Sequence, residues 1–275
     1  MTDFGVFILP DGEDPDGTVA QAVAGDEAGL GYVGIQDHPY QRRYLDTWTL
    51  LSYLAARTDR VKLLPDVINL PLSQPAVLAK SVASLDVLSG GRVELGIGAG
   101  SFWDAVAAMG GPRRTPGESV EALEEAMQII RAFLDMEKPS VRFAGEHYSV
   151  SGAKPGPPPA HRVGLWVGAY GPRMLRLTGR RGDGWLPSVG DAPYLRVEDI
   201  VPRQEAIDAA ARKAGRDPAD IVRAVNVGLH GEHEWLDGAK LHGFAEEHRF
   251  DVVLVSVPAD DSLEFIRTLG HAVGR

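Results

Sequence analysis

No cysteine occurs among the 275 residues. That absence excludes disulfide frameworks, thiolate metal sites and cysteine nucleophiles, fits a reducing compartment, and leaves any redox chemistry to a bound cofactor. Apolar runs long enough to cross a bilayer are also missing. The opening stretch MTDFGVFILP sets an acid ahead of a short apolar run, unlike the basic and longer apolar regions of a secretory signal. Positive charge is scarce: 28 Lys plus Arg stand against 38 Asp plus Glu, a formal net charge of −10. Such a surface repels nucleic acid and anionic membranes. The phosphate loop GxxxxGK[ST], the nucleophile elbow GxSxG and the zinc patterns HExxH and HxxEH do not occur, and HGEH at 230–233 fits neither zinc pattern. These absences point to a cytoplasmic protein that handles a small molecule, with no expected metal.

What the chain does contain is a series of eight Val-, Ile- and Leu-rich runs, at 4–9, 32–37, 61–69, 93–98, 163–168, 184–189, 221–229 and 251–257. Continuous apolar runs suit parallel strands covered on both faces, and the helix-like segments between most of them imply repeated βαβ units. Helices are predicted over 18–29 with a stop at Gly29, after Asp46 as a cap, from Pro75 to a stop at Gly90 or Gly91, over 119–134, from Pro172, and over 262–272 after Asp260 and Asp261. Residues 138–162 break the alternation with a strand pair around Gly145 and a proline-rich connector, which reads as an insertion after the fourth βα unit. The expected fold is a single (β/α)8 TIM barrel spanning 1–275, with an open doubly wound sheet as the alternative. Arg113, Arg114 and Arg131 are expected to be solvated or to pair with the Glu-rich helix around 118–125.

In such a barrel the reactive rim lies at the strand C-terminal ends. SLDVLSGGRVELGIGAGS, 84–101, places Gly96, Gly98 and Gly100 there. A dinucleotide fingerprint would need a third glycine at position 101, where serine stands. Two readings stay open for Gly98, Ala99 and Gly100: a tight strand-to-helix turn, or main chain laid bare for a flat ring. VGAYGPRM, 167–174, ends a strand at Gly168, offers Gly171 for left-handed geometry, and starts a helix at Pro172 whose free N–H groups suit a phosphate, with Arg173 as charge partner. A plain turn with a solvated arginine is the alternative. QDHPY, 36–40, sets Asp37 and His38 at another strand end, where the histidine can move a proton or serve structure. His230 is a candidate pocket residue.

Taken together, LSYLAARTDRVKLLPDVINLPLSQPAVLAKSVASLDVLSGGRVELGIGAG at 51–100, the segment 102–133, and LWVGAYGPRMLRLTGRRGDGWLP at 165–187 resemble the bacterial luciferase-like family of flavin- and deazaflavin-dependent oxidoreductases, especially a compact actinobacterial branch. The likeness is strong to about residue 187 and weaker after it. It implies a TIM barrel with the ring of coenzyme F420 or FMN at the rim, and a non-prolyl cis peptide at Val67–Ile68 against one ring face. It further implies Gly98, Ala99 and Gly100 beside the ring, Gly168, Ala169, Tyr170, Gly171, Pro172 and Arg173 around the phosphate, and a homodimer. The Asp37–His38 pair matches one common in F420-using members, where the histidine lies near the hydride-transfer position. Tyr40 and Trp103 are expected to pack over a small organic substrate. Ser101 stands where some F420 enzymes have a glutamate. The function implied is hydride transfer between F420 and a small substrate. The alternatives are an FMN-dependent monooxygenase, a non-catalytic flavin-binding protein, and a barrel hydrolase whose constellation is not visible.

Overall fold

The computed structural model describes residues 2–191, 193–228 and 233–274. Its strands and helices run in the order β1 (Asp3–Ile8), α1 (Pro15–Glu27), β2 (Tyr32–Ile35), α2 (Thr47–Ala55), β3 (Lys62–Pro65), β4 (Ile68–Asn69), α3 (Pro75–Ser89), β5 (Leu95–Gly98), α4 (Trp103–Ala108), α5 (Pro116–Asp135), β6 (Val141–Ala144), β7 (Ser149–Ala153), β8 (Leu165–Val167), α6 (Pro172–Arg181), β9 (Gly184–Trp185), α7 (Ile200–Lys213), β10 (Val222–Val227), α8 (Gly238–Glu247), β11 (Val252–Ser256) and α9 (Ser262–Val273). All pairings in the large sheet are parallel, in the order β3-β2-β1-β11-β10-β9-β8-β5-β4. The two ends of that order come from the third apolar run, which splits in two. Leu63 in its first half bridges to Val93 just ahead of β5, and Ile68 in its second half pairs with Ile97, so the barrel closes.

The cis peptide lies between Asp66 and Val67, one bond earlier than the sequence implies. Ile68 is already committed to the ladder with Ile97, so the irregular bond falls ahead of Val67. The hairpin β6–β7 and the connector after it form the expected insertion following the fourth barrel strand and its helices. Helix α1 begins at Pro15, three residues before the predicted start, because the Asp14 carboxylate accepts the Gly17 N–H at 3.0 Å. Helix α5 likewise begins at Pro116, behind a capping box in which Thr115 and Glu118 satisfy each other's backbone N–H. Of the two glycines offered as the stop of α3, Gly90 closes the helix in the left-handed conformation. Arg131 corrects the expectation made for it: it pairs with Asp135 and Asp183 and donates to the Val163 carbonyl at 3.0 Å. Arg113 pairs with Asp104, while Arg114 stacks on Tyr148. Among the described residues no helix is long and apolar enough to cross a membrane.

The continuous apolar runs divide by parity into two cores. Val6, Val33, Leu63, Ile97, Val225 and Val253 face the helices, while Phe7, Tyr32, Leu64, Trp166, Leu186, Ala224, Val252 and Leu254 fill the barrel. Two bulky rings, Tyr32 and Trp166, lie 5.5 Å apart there, and glycines on neighbouring strands make the room. A Cβ on Gly96 would come within 2.1 Å of the Pro65 carbonyl oxygen, and one on Gly184 within 2.6 Å of the Trp166 ring. Gly96→Ala is therefore expected to cost about 3 kcal/mol, since rigid backbone must move. Gly90→Ala, left-handed but with open space around it, is expected to cost about 1 kcal/mol. Urea denaturation midpoints of the two variants measure the difference.

Candidate active site at the barrel mouth

Loops from the strand C-terminal ends enclose a cavity of about 1240 Å3. Pockets for a single drug-sized ligand run to roughly 300–1,000 Å3, so this cavity has room for more than one such molecule. The cavity's back wall is Val67, which lies in the two-residue break between β3 and β4 and lines the mouth. A Cβ on Gly98 would meet Val67 at 2.9 Å, and one on Gly168 would meet it at 3.1 Å. These two glycines admit the valine first, and the three residues then line the cavity together. Gly100 has a positive φ of 97°, and a Cβ there would strike Pro71 at 2.4 Å, so the turn alone requires it. Ile68, Ala99 and Gly100 border the same space.

On another side, Gly168, Tyr170, Gly171, Pro172 and Arg173 form the wall. Gly171 is extended, with φ −82° and ψ 157°, and not left-handed as the sequence suggests, because Pro172 behind it demands extended backbone. A Cβ there would meet nothing within 4 Å, and no side chain caps the first turn of α6 among the described residues. The helix start is thus open to an anion, with its amides and positive dipole end directed outward. Arg173 leans on Glu121 at 3.0 Å at the rim. Ala169 is fully buried, and its carbonyl accepts the Trp185 indole N–H at 2.8 Å, so it supports the wall from behind.

The remaining wall is aromatic. His38 stacks on Tyr40 at 5.4 Å and meets Phe102 edge-on at 5.5 Å. His38, Tyr44 and Phe102 line the cavity, whereas Tyr40 stands behind them and Trp103 packs beside Gly100. Sequence reasoning missed Phe102 and Tyr44; Phe102, in the αL conformation with φ 54°, keeps a largely exposed ring at the cavity rim beside His38 and Tyr40, a placement not encoded in apolar periodicity. The Tyr40 hydroxyl points towards Ser101 and Asn69 and completes a hydrogen bond with neither. Burial lowers the His38 pKa below its ordinary 6.5, so the imidazole is neutral at neutral pH. Asp37 is buried and pushed up by desolvation, opposed by the Asn69 N–H that it accepts at 2.7 Å. It ties β4 to the end of β2. The loop carrying His38 is held in turn by backbone bonds from Gly12 to Arg43 and from Leu45 to Pro10, and by the Arg43–Asp11 ion pair. His230 lies outside the described residues.

Asp66 sits on the cavity floor. Its Oδ1 accepts the Asn226 amide at 3.1 Å, its Oδ2 has no partner, and burial raises its pKa from 3.8 to about 7. Nothing in the sequence singles it out, because the motif around it reads as strand.

An eight-stranded parallel barrel whose mouth joins an open helix N-terminus, a valine-backed wall and a neutral histidine has the shape to receive an anionic planar ligand. The comparisons name the family. The family described as Luciferase-like monooxygenase matches residues 2–233, well past the 187 at which the sequence likeness fades. An F420-dependent glucose-6-phosphate dehydrogenase of Intrasporangium calvum is 32% identical over 236 residues, 83% of this chain and 69% of that protein. A 5,10-methylenetetrahydromethanopterin reductase of Archaeoglobus fulgidus is 32% identical over 213 residues, 76% of this chain and 59% of that protein. An F420-dependent secondary alcohol dehydrogenase, solved with an F420–acetone adduct, superposes with a TM-score of 0.85 over the whole of both chains at 18% identity, and so shares the fold. The chain belongs to the luciferase-like monooxygenase family.

The raised value of Asp66 has a consequence for stability. Its folded-state pKa, about 7, exceeds the unfolded 3.8, so stability is fullest below the unfolded value and is lost as the pH climbs towards the folded one. Asp66→Asn removes that loss. The variant is expected to gain on wild type by about 4 kcal/mol at pH 8 and by less than half as much at about pH 5. Denaturant titrations at the two pH values measure the gap.

Proposed function

We propose that this protein is an oxidoreductase that moves a hydride between coenzyme F420 and a small organic substrate. The observation that carries the reading is the joining, in one cavity, of the open α6 N-terminus, the Val67 wall and the neutral His38. The residues fit the cofactor on their own terms: Gly171 leaves the space that a phosphate would fill, and Gly98 and Gly168 leave a flat wall. The amides of Arg173 and Met174 would hold the phosphate, and Val67 would lie against the ring. When bound, the ring supplies the carbon that gives or takes the hydride. His38 acts on the substrate oxygen: as base it takes the hydroxyl proton of an alcohol while the carbinol hydrogen leaves with its electron pair, and as acid it returns the proton to a carbonyl. Leu9, Tyr44 and Phe102 exclude water and hold the substrate against the ring. The chain spans 69% and 59% of the two relatives compared, both named for F420 or for a pterin reduction. FMN with oxygen is the second reading, since the open α6 N-terminus and the Val67 wall would receive either phosphorylated ring.

Titration with F420 and FMN, followed by absorbance and fluorescence, tests the assignment. F420 is expected to bind more tightly; binding of FMN alone supports the second reading, and binding of neither overturns both. His38→Ala is expected to keep F420 affinity within about threefold and to slow turnover by ~10²–10⁴-fold. Because burial holds the His38 pKa below its ordinary 6.5, the fall of alcohol oxidation in acid should be centred at a lower pH than that of a free imidazole.

The homodimer implied by the family resemblance has a candidate face. Val77 and Leu88 lie three helical turns apart on α3, 65% and 83% exposed, and Tyr53 on the adjacent α2 is 52% exposed. We propose that a second copy of the chain covers this face. Sedimentation equilibrium is expected to show a dimer that Leu88→Glu converts to monomer.

A further inference from the structure

The mechanism above leaves one buried acid without a task. Asp66 is 8% exposed and points into the barrel between Gly34 of β2 and Asn226 of β10. One carboxyl oxygen is satisfied by the Asn226 amide, which also donates to Ser188 Oγ at 3.1 Å. The other, Oδ2, finds no partner, although Asp66 lines the cavity. A buried polar atom left without a partner costs free energy, which a ligand atom reaching it from the cavity would recover. Its position is just ahead of Val67, which forms the wall proposed for the ring.

We propose that Asp66 acts as a neutral carboxylic acid that donates its O–H, from the cavity floor, to an acceptor atom of the planar cofactor. This inference rests on the cofactor reading above. The Asn226 amide, as donor, fixes Oδ1 as the acceptor and leaves the proton on Oδ2. No cation faces this acid among the described residues: β2 offers Gly34, β10 offers Asn226, and the loops after β8 and β9 offer Tyr170 and Ser188. Tyr170 is a phenol held above its ordinary 10.0 by burial, so it stays neutral alongside. The proton on Asp66 is retained by desolvation, and its pKa of about 7 lies within the working range. Ionisation would set an uncompensated charge under the ring and remove the donor together.

Cofactor affinity is therefore linked to that proton. Between pH 6 and pH 8 the wild-type dissociation constant for F420 is expected to rise about tenfold, as one proton must be bound with the ligand. Asp66→Asn keeps an N–H donor of the same shape and cannot ionise, so its dissociation constant should match wild type at pH 6 and stay flat to pH 8. His38, Asp37 and the cofactor's own ionisation contribute equally to both proteins and cancel in the comparison. Infrared difference spectra of binding should show the carbonyl stretch of a protonated carboxylic acid shifting in wild type and absent from Asp66→Asn. Parallel pH profiles, or no such band, overturn the proposal while leaving the cofactor reading intact. Failure of both proteins to bind F420 or FMN at any pH overturns the cofactor reading and this proposal together.

Discussion

One packing constraint organises the mouth of this barrel: the Val67 side chain occupies the space that Cβ atoms at Gly98 and Gly168 would need. Three strands contribute to that contact, and none of them can be altered alone. With either glycine replaced, Val67 must retreat and the flat wall of the cavity deforms. With Val67 held, its neighbours β5 and β8 must present bare main chain at the same height. The interior below shows the same trade, where Gly96 and Gly184 yield to the Pro65 carbonyl and to Trp166. Bulk is concentrated in a few side chains, and glycine is set opposite each of them.

The second theme is the use of carboxylates as staples. Asp26 accepts three successive backbone N–H groups, from Asp59, Arg60 and Val61. Glu125 does the same for Glu146, His147 and Tyr148 at the turn of the inserted hairpin. Asp86, fully buried, takes the N–H of Ala160 and His161 together with the His161 ring. Each satisfies loop amides that would otherwise be orphaned, and for Asp26 and Glu125 the N–H groups they accept outweigh desolvation and hold the carboxyl below its ordinary pKa. Asp66 differs from these three: it accepts a single side-chain amide, and burial dominates its ionisation, as it does that of Asp37.

Much of this was legible in the sequence because it depends on local rules. The eight apolar runs, the stop at Gly90, the cap at Asp46 and the proline at the start of α6 each reflect near-neighbour geometry, and each stands in the structure. The parts that sequence reasoning did not reach depend on distant contacts. The division of each strand into barrel-facing and helix-facing residues is invisible in a continuous apolar run, since both faces are buried. The glycines of LGIG looked like a place for a ring, yet what they admit first is a valine thirty residues earlier in the chain. Phe102 reaches the cavity through a left-handed turn, and the unpartnered state of Oδ2 on Asp66 follows from the engagement of Oδ1 by Asn226, which is 160 positions away.

The anchoring of the His38 loop carries a lesson for how this site can diversify. That loop is stitched to the segment after β1 through Asp11, Gly12 and Pro10. The two segments therefore form one rigid bracket over the mouth. Insertions in either one would pull the imidazole out of register, so new substrate preferences are more accessible through the loops following β9 and β11, which border the opening without bearing the histidine.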